Sequence, residues 1–212
     1  MVILLGGSSH VGKTLVAQKL MERFGFPYMS FDHLKMGFIR SGMTSLTVND
    51  DWEMRYWMWP FVSSIAKTAV ENGQNLILEG CYIPHNWKET FSSVSSTSPE
   101  SQISPKSPAS SGKTDSVADG DRRLDYMADI RSVFIVMSRR YIEGNFDLIR
   151  DYADVIEHRL DDSGLDMQRL VMCSEGFKQD CIGNGTPYVE IDEAFDIDEL
   201  VERVASALGL DG

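Results

Sequence analysis

The sequence has few cysteines and no long apolar run, and each absence excludes a class of protein. Its three cysteines, Cys81, Cys173 and Cys181, form neither a disulfide framework nor a Cys-x-x-Cys metal motif. No apolar run is long enough to span a membrane. The opening MVILLGG is too short for a signal peptide and lacks the basic residues of one. We therefore expect a reduced, cytoplasmic setting and no membrane partner.

Positive charge is also scarce, with 20 Lys and Arg residues against 32 Asp and Glu residues and a formal net charge of −12. A chain this acidic repels a nucleic-acid backbone, so we expect no nucleic-acid partner. ATP remains compatible, because Mg2+ and a few local cations set the field inside a pocket. The 212 residues are enough for one sizeable core, and we predict a single domain over residues 1–212.

Residues 6–14, GGSSHVGKT, contain the most specific motif of the chain, G-x-x-x-x-G-K-[ST]. Glycines let main-chain N–H groups turn toward phosphate oxygens, while the lysine reaches the β- and γ-phosphates and the Thr hydroxyl ligates Mg2+. An apolar strand precedes the loop and an amphipathic helix follows it, which is the context the motif requires. We predict that this phosphate loop binds ATP through eight residues: Gly7, Ser8, Ser9, His10, Val11, Gly12, Lys13 and Thr14.

A second G-K-T at residues 112–114 lacks the glycine five positions earlier and follows no strand, so we exclude it as a phosphate site. It lies in a Ser/Pro-rich segment, residues 92–120, with eleven serines and three Ser-Pro steps. Such a segment buries too little apolar surface to fold alone, and we predict a disordered insertion. The alternative is a loop regulated by phosphorylation at the Ser-Pro steps.

Strands and helices alternate along the rest of the chain, which predicts an α/β fold. We expect a three-layer P-loop NTPase fold: a five-stranded parallel sheet with helices on both faces and small acceptor and lid lobes. The predicted strands are residues 2–5, 27–30, 74–80, 131–138 and 186–192. The predicted helices after the phosphate loop are residues 33–40, 49–72 (with a kink or break at Pro60), 139–164 (as one or two helices), 166–182 and 195–209.

Ligands of such sheets bind beyond the carboxyl ends of the strands, where polar candidates follow three strands. Asp32 follows the second strand and is either the carboxylate that positions or deprotonates the acceptor, or a helix N-cap. Glu79 ends the third strand and either ligates Mg2+ and contacts the acceptor, or is simply held by neighbouring backbone. Lys35 and Arg40 either bind an anionic group of the acceptor or are exposed helix cations.

Arginines follow the fourth strand, in a region we predict to be a helical lid that closes over the phosphates and excludes water. The candidates are Arg139, Arg140, Arg150 and Arg159, of which we favour Arg140 and Arg150 as catalytic. The alternative is a solvated helix with weak Asp–Arg pairs. The predicted helix over residues 49–72 contains an aromatic run that is more typical of packing than of base stacking: Trp52, Tyr56, Trp57, Trp59 and Phe61.

These segments resemble the P-loop small-molecule kinases, the group that contains adenylate, shikimate, gluconate and zeta-toxin-like kinases. GGSSHVGKTLVAQKL, SFDHLKMGFIRSG, LILEGCYIP and VIEHRLDD look most like bacterial 2-phosphoglycerate or adenylate kinases. In SFDHLK, Asp32 and Lys35 match the acidic and basic positions of the adenylate-kinase pattern T-G-D-x-L-R. In EGCYIPH, Glu79 and Gly80 match D-G-F-P-R, but its arginine has no counterpart.

The resemblance implies an ATP- and Mg2+-dependent phosphotransferase that acts on a small acceptor such as 2-phosphoglycerate. In this interpretation Lys13 and Thr14 hold ATP and Mg2+, and Asp32 and Glu79 serve the acceptor and the metal. A nucleoside monophosphate kinase is the first alternative. A nucleotide-dependent switch or regulatory ATPase is an alternative of another class, and a degenerate kinase that only binds ATP is a third.

Overall fold

The computed structural model describes residues 1–92, 125–152 and 165–210. These residues contain one five-stranded sheet in the order β2-β3-β1-β4-β5, and every neighbouring pair of strands is parallel. The predicted parallel sheet and α/β fold class are therefore confirmed. The strands are β1 (Val2–Gly7), β2 (Tyr28–Ser30), β3 (Leu76–Glu79), β4 (Ile130–Met137) and β5 (Tyr188–Ile191).

Helices cover both faces of this sheet, which explains why its central strands read as continuous apolar runs. Alternate residues of β1 enter opposite cores: Ile3 and Leu5 pack on one face, and Val2 and Leu4 on the other. The helices of the described residues are α1 (Lys13–Phe24), α2 (Phe31–Arg40), α3 (Asp51–Glu71), α4 (Trp87–Ser92), α5 (Tyr126–Asp129), α6 (Arg139–Asp151), α7 (Met167–Gly183) and α8 (Ile197–Leu208).

Most predicted elements lie within a few residues of the observed ones, but three expectations change. Helix α3 continues through Pro60, so the predicted alternative of a break is wrong. Pro60 is exposed, and it removes only one N–H from a helix of 21 residues that packs its other face against the core. Helix α6 has a non-helical residue, Asn145, and the short helices α4 and α5 were not predicted.

Some predictions fall on residues 93–124 and 153–164, which lie outside the described part of the chain. They concern nearly all of the Ser/Pro-rich segment, the excluded G-K-T and Arg159. Within the described residues, no helix combines the length and apolar character needed to cross a membrane. All three cysteines are described, and all are free thiols.

Candidate active site

The phosphate loop leaves the centre of the sheet, between the end of β1 and the start of α1. Its backbone turns through positive φ angles at Gly7 (134°), His10 (63°) and Gly12 (78°). Gly7 lies against β4, where a Cβ atom would stand 2.0 Å from the carbonyl oxygen of Ile135, and the next residue, Ser8, donates its N–H to that oxygen at 3.1 Å. No side-chain hydrogen bond caps α1 at Gly12, which is consistent with an anion site at the helix N-terminus.

Lys13 is the first residue of α1 and is only 7% exposed, and its Nζ donates to the carbonyl oxygen of Ser8 at 2.6 Å. The pKa of Lys13 is raised: burial lowers it, but Cys81, Glu79 and Asp32 raise it by more. Burial raises the pKa of Cys81 itself, so this thiol is neutral at pH 7. With this thiol neutral, the negative charges that favour the Lys13 ammonium against its burial are those of Glu79 and Asp32.

Thr14 and Glu79 meet at the same edge of the sheet. Thr14 Oγ1 donates to Glu79 Oε1 at 3.2 Å, and Glu79 is only 1% exposed. Strand pairing fixes Glu79 opposite Leu5 of β1, directly below the phosphate loop. On the other side, Glu79 pairs with Ser30 of β2, whose buried Oγ has no hydrogen-bond partner in the described residues.

These oxygens fit the predicted Mg2+. Mg2+ binds through one or two protein oxygens and completes its octahedron with water and phosphate oxygens. In the described residues no group of three or more His, Cys, Asp or Glu side chains could form an all-protein cage. A site made by Thr14 and Glu79 together with a nucleotide matches this preference, and Ser30 offers a further buried hydroxyl beside it.

Asp32 lies in the first turn of α2, directly after β2, and is partly exposed. The predicted alternative of an N-cap is wrong, because α2 begins at Phe31 and its N-cap position is Ser30. Asp32 acts electrostatically on Lys13 and on Cys81. The structure therefore brings together Lys13, Asp32 and Glu79, which the sequence placed in three separate segments.

Lys35 has a different environment from the one expected of an exposed helix cation, since it is only 7% exposed. Its Nζ donates to the Val48 carbonyl oxygen at 2.9 Å, to Asp51 Oδ1 at 2.5 Å and to the Tyr82 hydroxyl at 2.8 Å. The Tyr82 hydroxyl donates in turn to Asp51 Oδ1 at 2.8 Å. This cluster joins α2, α3 and the segment after β3. Arg40, at the end of α2, is exposed.

The arginines of α6 pair with surface carboxylates. Arg139 binds Glu175 through two hydrogen bonds of 3.0 and 2.8 Å. Arg140, whose side chain is 67% exposed, pairs with Asp192 at 2.7 Å. Arg150 pairs with Asp147 at 2.8 Å, one turn away on the same helix. Within the described residues these arginines contact acidic side chains and not the phosphate loop, and their catalytic role stays a prediction.

The aromatic run on α3 is partly packed and partly exposed. Trp59 is buried, and its Nε1 donates to Thr90 Oγ1 at 2.8 Å. Trp57 and Phe61 each make an edge-to-face contact with Phe38 of α2. Packing therefore accounts for these three members of the run. Trp52 and Tyr56 stack edge-to-face on each other at the surface.

Three residues near the site escaped the sequence reasoning. Cys81, directly after Glu79 and Gly80, lies close enough to Lys13 for the two groups to influence each other's pKa. Arg55 of α3 donates to the main-chain carbonyl oxygen of Cys81 at 3.1 Å. Phe195, before α8, lies 3.0 Å from where a Cβ on Gly12 would stand. The only local signal was that Arg55 is the one basic residue in the aromatic first half of α3.

Neither a scan of protein-family models nor a search of curated protein sequences found a match to the chain. Solved structures do match. A gluconokinase from Sinorhizobium meliloti 1021 has a TM-score of 0.51 at 14% identity, over 99% of this chain and 91% of that chain. Shikimate kinase from Aquifex aeolicus vf5 has a TM-score of 0.50 at 13% identity, over 100% of both chains.

A deoxyadenosine kinase from M. mycoides has a TM-score of 0.53 at 11% identity, over 99% of this chain and 100% of that chain. At such identities the likeness is one of fold. The chain has the α/β fold of the P-loop kinases, with a five-stranded parallel sheet, and the predicted fold class is confirmed.

Proposed function

We propose that this protein is an ATP- and Mg2+-dependent kinase that transfers the γ-phosphoryl group to a small acceptor molecule. The observation that carries the proposal is the convergence of Lys13, Thr14, Asp32 and Glu79 around the complete phosphate-loop motif. The likeness of the fold to three small-molecule kinases supports the same reaction class. We infer that the enzyme works in the cytoplasm, as one domain over residues 1–212.

Each residue of the loop has a role in this proposal. The main-chain N–H groups around Gly7 and Gly12 hold the phosphates, where larger residues would clash. The Lys13 ammonium leaves the Ser8 carbonyl oxygen and binds the β- and γ-phosphate oxygens. Thr14 and Glu79 would hold Mg2+, which would supply positive charge against the charge that develops on the phosphates.

Asp32 orients or deprotonates the acceptor hydroxyl, because it is the partly exposed carboxylate that faces Lys13. Arg140 and Arg150 close over the phosphates. Their ion pairs in this structure lie at the surface, where such pairs contribute about 0–1 kcal/mol to stability. Exchanging the carboxylate partner for a phosphate therefore costs little free energy. Lys35, Arg40 and Glu79 remain candidate residues of the acceptor site in this proposal.

The acceptor we propose first is a small phosphorylated or hydroxylated metabolite such as 2-phosphoglycerate, and a nucleoside monophosphate comes second. The similar kinases are named for gluconate, shikimate and deoxyadenosine, so one fold accommodates acceptors of very different chemistry. A nucleotide-dependent switch or regulatory ATPase is the competing proposal, and it differs in needing no acceptor.

ADP release from Mg-ATP, measured with a panel of acceptors, tests the proposal. The panel contains 2-phosphoglycerate, other phosphorylated acids, gluconate, shikimate, sugars, nucleosides and each nucleoside monophosphate. We expect one acceptor to raise turnover well above the rate without acceptor. Acceptor-independent turnover favours the switch, and tight ATP binding without turnover favours a degenerate kinase.

Lys13→Ala should abolish turnover while the far-ultraviolet circular dichroism spectrum stays unchanged. The substitution removes one side chain, whereas the glycines that shape the loop remain. Arg203→Lys, on the surface of α8, is a control that keeps its charge. Turnover retained by Lys13→Ala would contradict the assignment of the phosphate loop.

Asp32→Asn should lower kcat by a factor of about 100 to 10,000, the usual contribution of a general base, with ATP affinity changed little. The substitution keeps the shape of the side chain and removes its charge. Nucleotide affinity is measured by calorimetry and kcat by ADP release. Equal losses in both quantities would show that Asp32 maintains the loop and does not act on the acceptor.

A further inference from the structure

Arg55 is a partly buried cation for which the described residues provide no counter-ion. Its guanidinium lies between two aromatic rings, 5.6 Å from the ring centroid of Trp52 and 5.3 Å from that of Phe177. One Nη donates to the Cys81 carbonyl oxygen at 3.1 Å, and the buried Nε has no hydrogen-bond partner. Among the described residues no carboxylate pairs with Arg55, although Asp180 lines the same small crevice.

Partial burial is what makes the lack of a carboxylate partner at Arg55 significant. A guanidinium offers five N–H donors, and Arg55 uses one of them on the protein. Removing a charge from water without pairing it is unfavourable, whereas an oxyanion satisfies both the charge and the unused donors. Of the nine arginines in the described residues, five pair with a carboxylate: Arg23, Arg139, Arg140, Arg150 and Arg203. Arg40, Arg131 and Arg169 also lack such a pair, but all three are exposed to water, whereas Arg55 is partly buried.

The position of Arg55 links it to the phosphate loop. Arg55 binds the main-chain oxygen of Cys81, and the side chain of the same residue lies close enough to Lys13 to influence its pKa. The two cations therefore approach one residue from two elements, α3 and α1. Asp32, the proposed acceptor-side carboxylate, also acts on Cys81. Arg55 lies on the α3 side of this group.

The other cations near α2 are less suited to bind an acceptor. Lys35 already donates to three oxygens, among them Asp51 and the Tyr82 hydroxyl, and it is almost fully buried. Releasing it would leave the Asp51 carboxylate without its ion-pair partner. Arg40 is exposed at the far end of α2, eight residues beyond Asp32. Arg55 combines partial burial, unused donors and proximity to Cys81.

We propose that the acceptor of this kinase is an anion and that Arg55 binds its carboxylate or phosphate group. The proposal rests on the proposed kinase function and names the substrate class of that site. Contacts with Trp52 and Phe177 restrict the guanidinium to few orientations, which favours bidentate binding of an oxyanion. The hydroxyl of the bound acceptor then faces Asp32 and Lys13.

Calorimetry on nucleotide-loaded protein tests this assignment. Mg2+ and a non-hydrolysable ATP analogue first fill the phosphate loop, so that added anions do not bind there. Inorganic phosphate, 2-phosphoglycerate, gluconate and shikimate are then titrated, with glycerol and glucose as neutral probes. The wild-type protein should bind at least one anion. Arg55→Met should weaken that binding about 10- to 100-fold, the value of a charge-assisted hydrogen-bonded pair.

Arg203→Met is the matched control, because Arg203 also donates to a main-chain carbonyl oxygen, that of Glu190 at 2.8 Å, but lies on α8. It should bind the anion as the wild-type protein does. Equal affinity in Arg55→Met and wild type, absence of anion binding in wild type, or preference for a neutral probe would each overturn the proposal. If Arg55→Met does not fold, Arg55→Lys and Arg55→Gln provide the same comparison.

Kinetics separate this proposal from the proposed function. A merely structural Arg55 would lower stability and affect charged and neutral acceptors alike. An anion-binding Arg55 raises KM for anionic acceptors alone, with partial recovery in Arg55→Lys. If wild type and Arg55→Met phosphorylate a neutral acceptor equally well, the result supports the kinase function and contradicts an anionic acceptor. If anions bind through Arg55 but no acceptor raises turnover, the result contradicts the kinase function and supports an anion-binding site at Arg55.

Discussion

Gly7→Ala should destabilise the protein more than any other single methyl addition in the phosphate loop. The new Cβ would stand 2.0 Å from the Ile135 carbonyl oxygen and 2.7 Å from the Ile135 nitrogen, where contacts under 3.0 Å essentially do not occur. Both atoms are main chain, so β1 and β4 must separate by about 1 Å to reach van der Waals distance. That separation breaks the bond from the Ser8 N–H to the Ile135 oxygen.

The magnitude follows from two terms. A buried main-chain group left without its partner costs about 1–3 kcal/mol. A non-glycine residue at a φ of 134° costs roughly another 1–3 kcal/mol. The free energy of unfolding should therefore fall by about 2–6 kcal/mol, and Tm by roughly 10 °C, since a chain of this size loses about 2–4 °C per kcal/mol.

Urea denaturation gives the free energy of unfolding of Gly7→Ala and of Gly25→Ala. The difference between the two variants isolates the effect of the clash. Gly25 also has a positive φ, 73°, but no atom lies within 4 Å of its would-be Cβ. Its alanine variant therefore carries only the backbone strain, about 1–2 kcal/mol. A Gly7→Ala protein as stable as the Gly25→Ala protein would refute the reasoning, because the strands would then yield to the methyl group without loss.

Two further predictions concern Mg2+ and the thiols. Glu79→Gln keeps the hydrogen bond to Thr14 but removes a negative charge, so the Mg2+ concentration for half-maximal turnover should rise about tenfold or more; an unchanged requirement would remove Glu79 from the metal site. Burial raises the pKa of Cys81, and it raises that of Cys181 to about 11, so both hold less thiolate at pH 7 than an ordinary thiol. Iodoacetamide should therefore alkylate exposed Cys173 first, with rates at the other two rising steadily above pH 8. Mass spectrometry of the labelled peptides decides, and faster labelling of Cys81 at pH 7 would contradict its raised pKa.

The sheet and the phosphate loop could be predicted from the sequence because their signals are local. Val2 to Leu5 is a continuous apolar run, and the spacing from Gly7 to Thr14 specifies a loop whose geometry depends on its own backbone. Asp32 and Glu79 were also found, since both follow predicted strands and the ends of parallel strands meet at one edge. Topology alone thus brought them toward Lys13.

The rest depended on contacts between distant segments. Nothing local distinguishes Lys35, which is buried by Asp51 and Tyr82, from an exposed cation on a helix. Pro60 is a helix breaker by its own chemistry, yet α3 continues through it because the helix packs against the core. Arg55 could not be recognised either, since its significance lies in the absence of a carboxylate partner among the described residues.

The charges of the cleft explain why Mg2+ and an arginine belong to the same proposal. Around the phosphate loop, Lys13 contributes one positive charge and Asp32 and Glu79 contribute two negative ones, while the Cys81 thiol is neutral at pH 7. Such a group repels a nucleotide that arrives without metal. A Mg2+ ion held by Thr14 and Glu79 would offset this negative charge, and Arg55 would add a positive charge on the α3 side. Because a bound nucleotide would bring its own negative charges, the attraction for an anionic acceptor would come from Arg55 on the α3 side and not from the net charge around the loop.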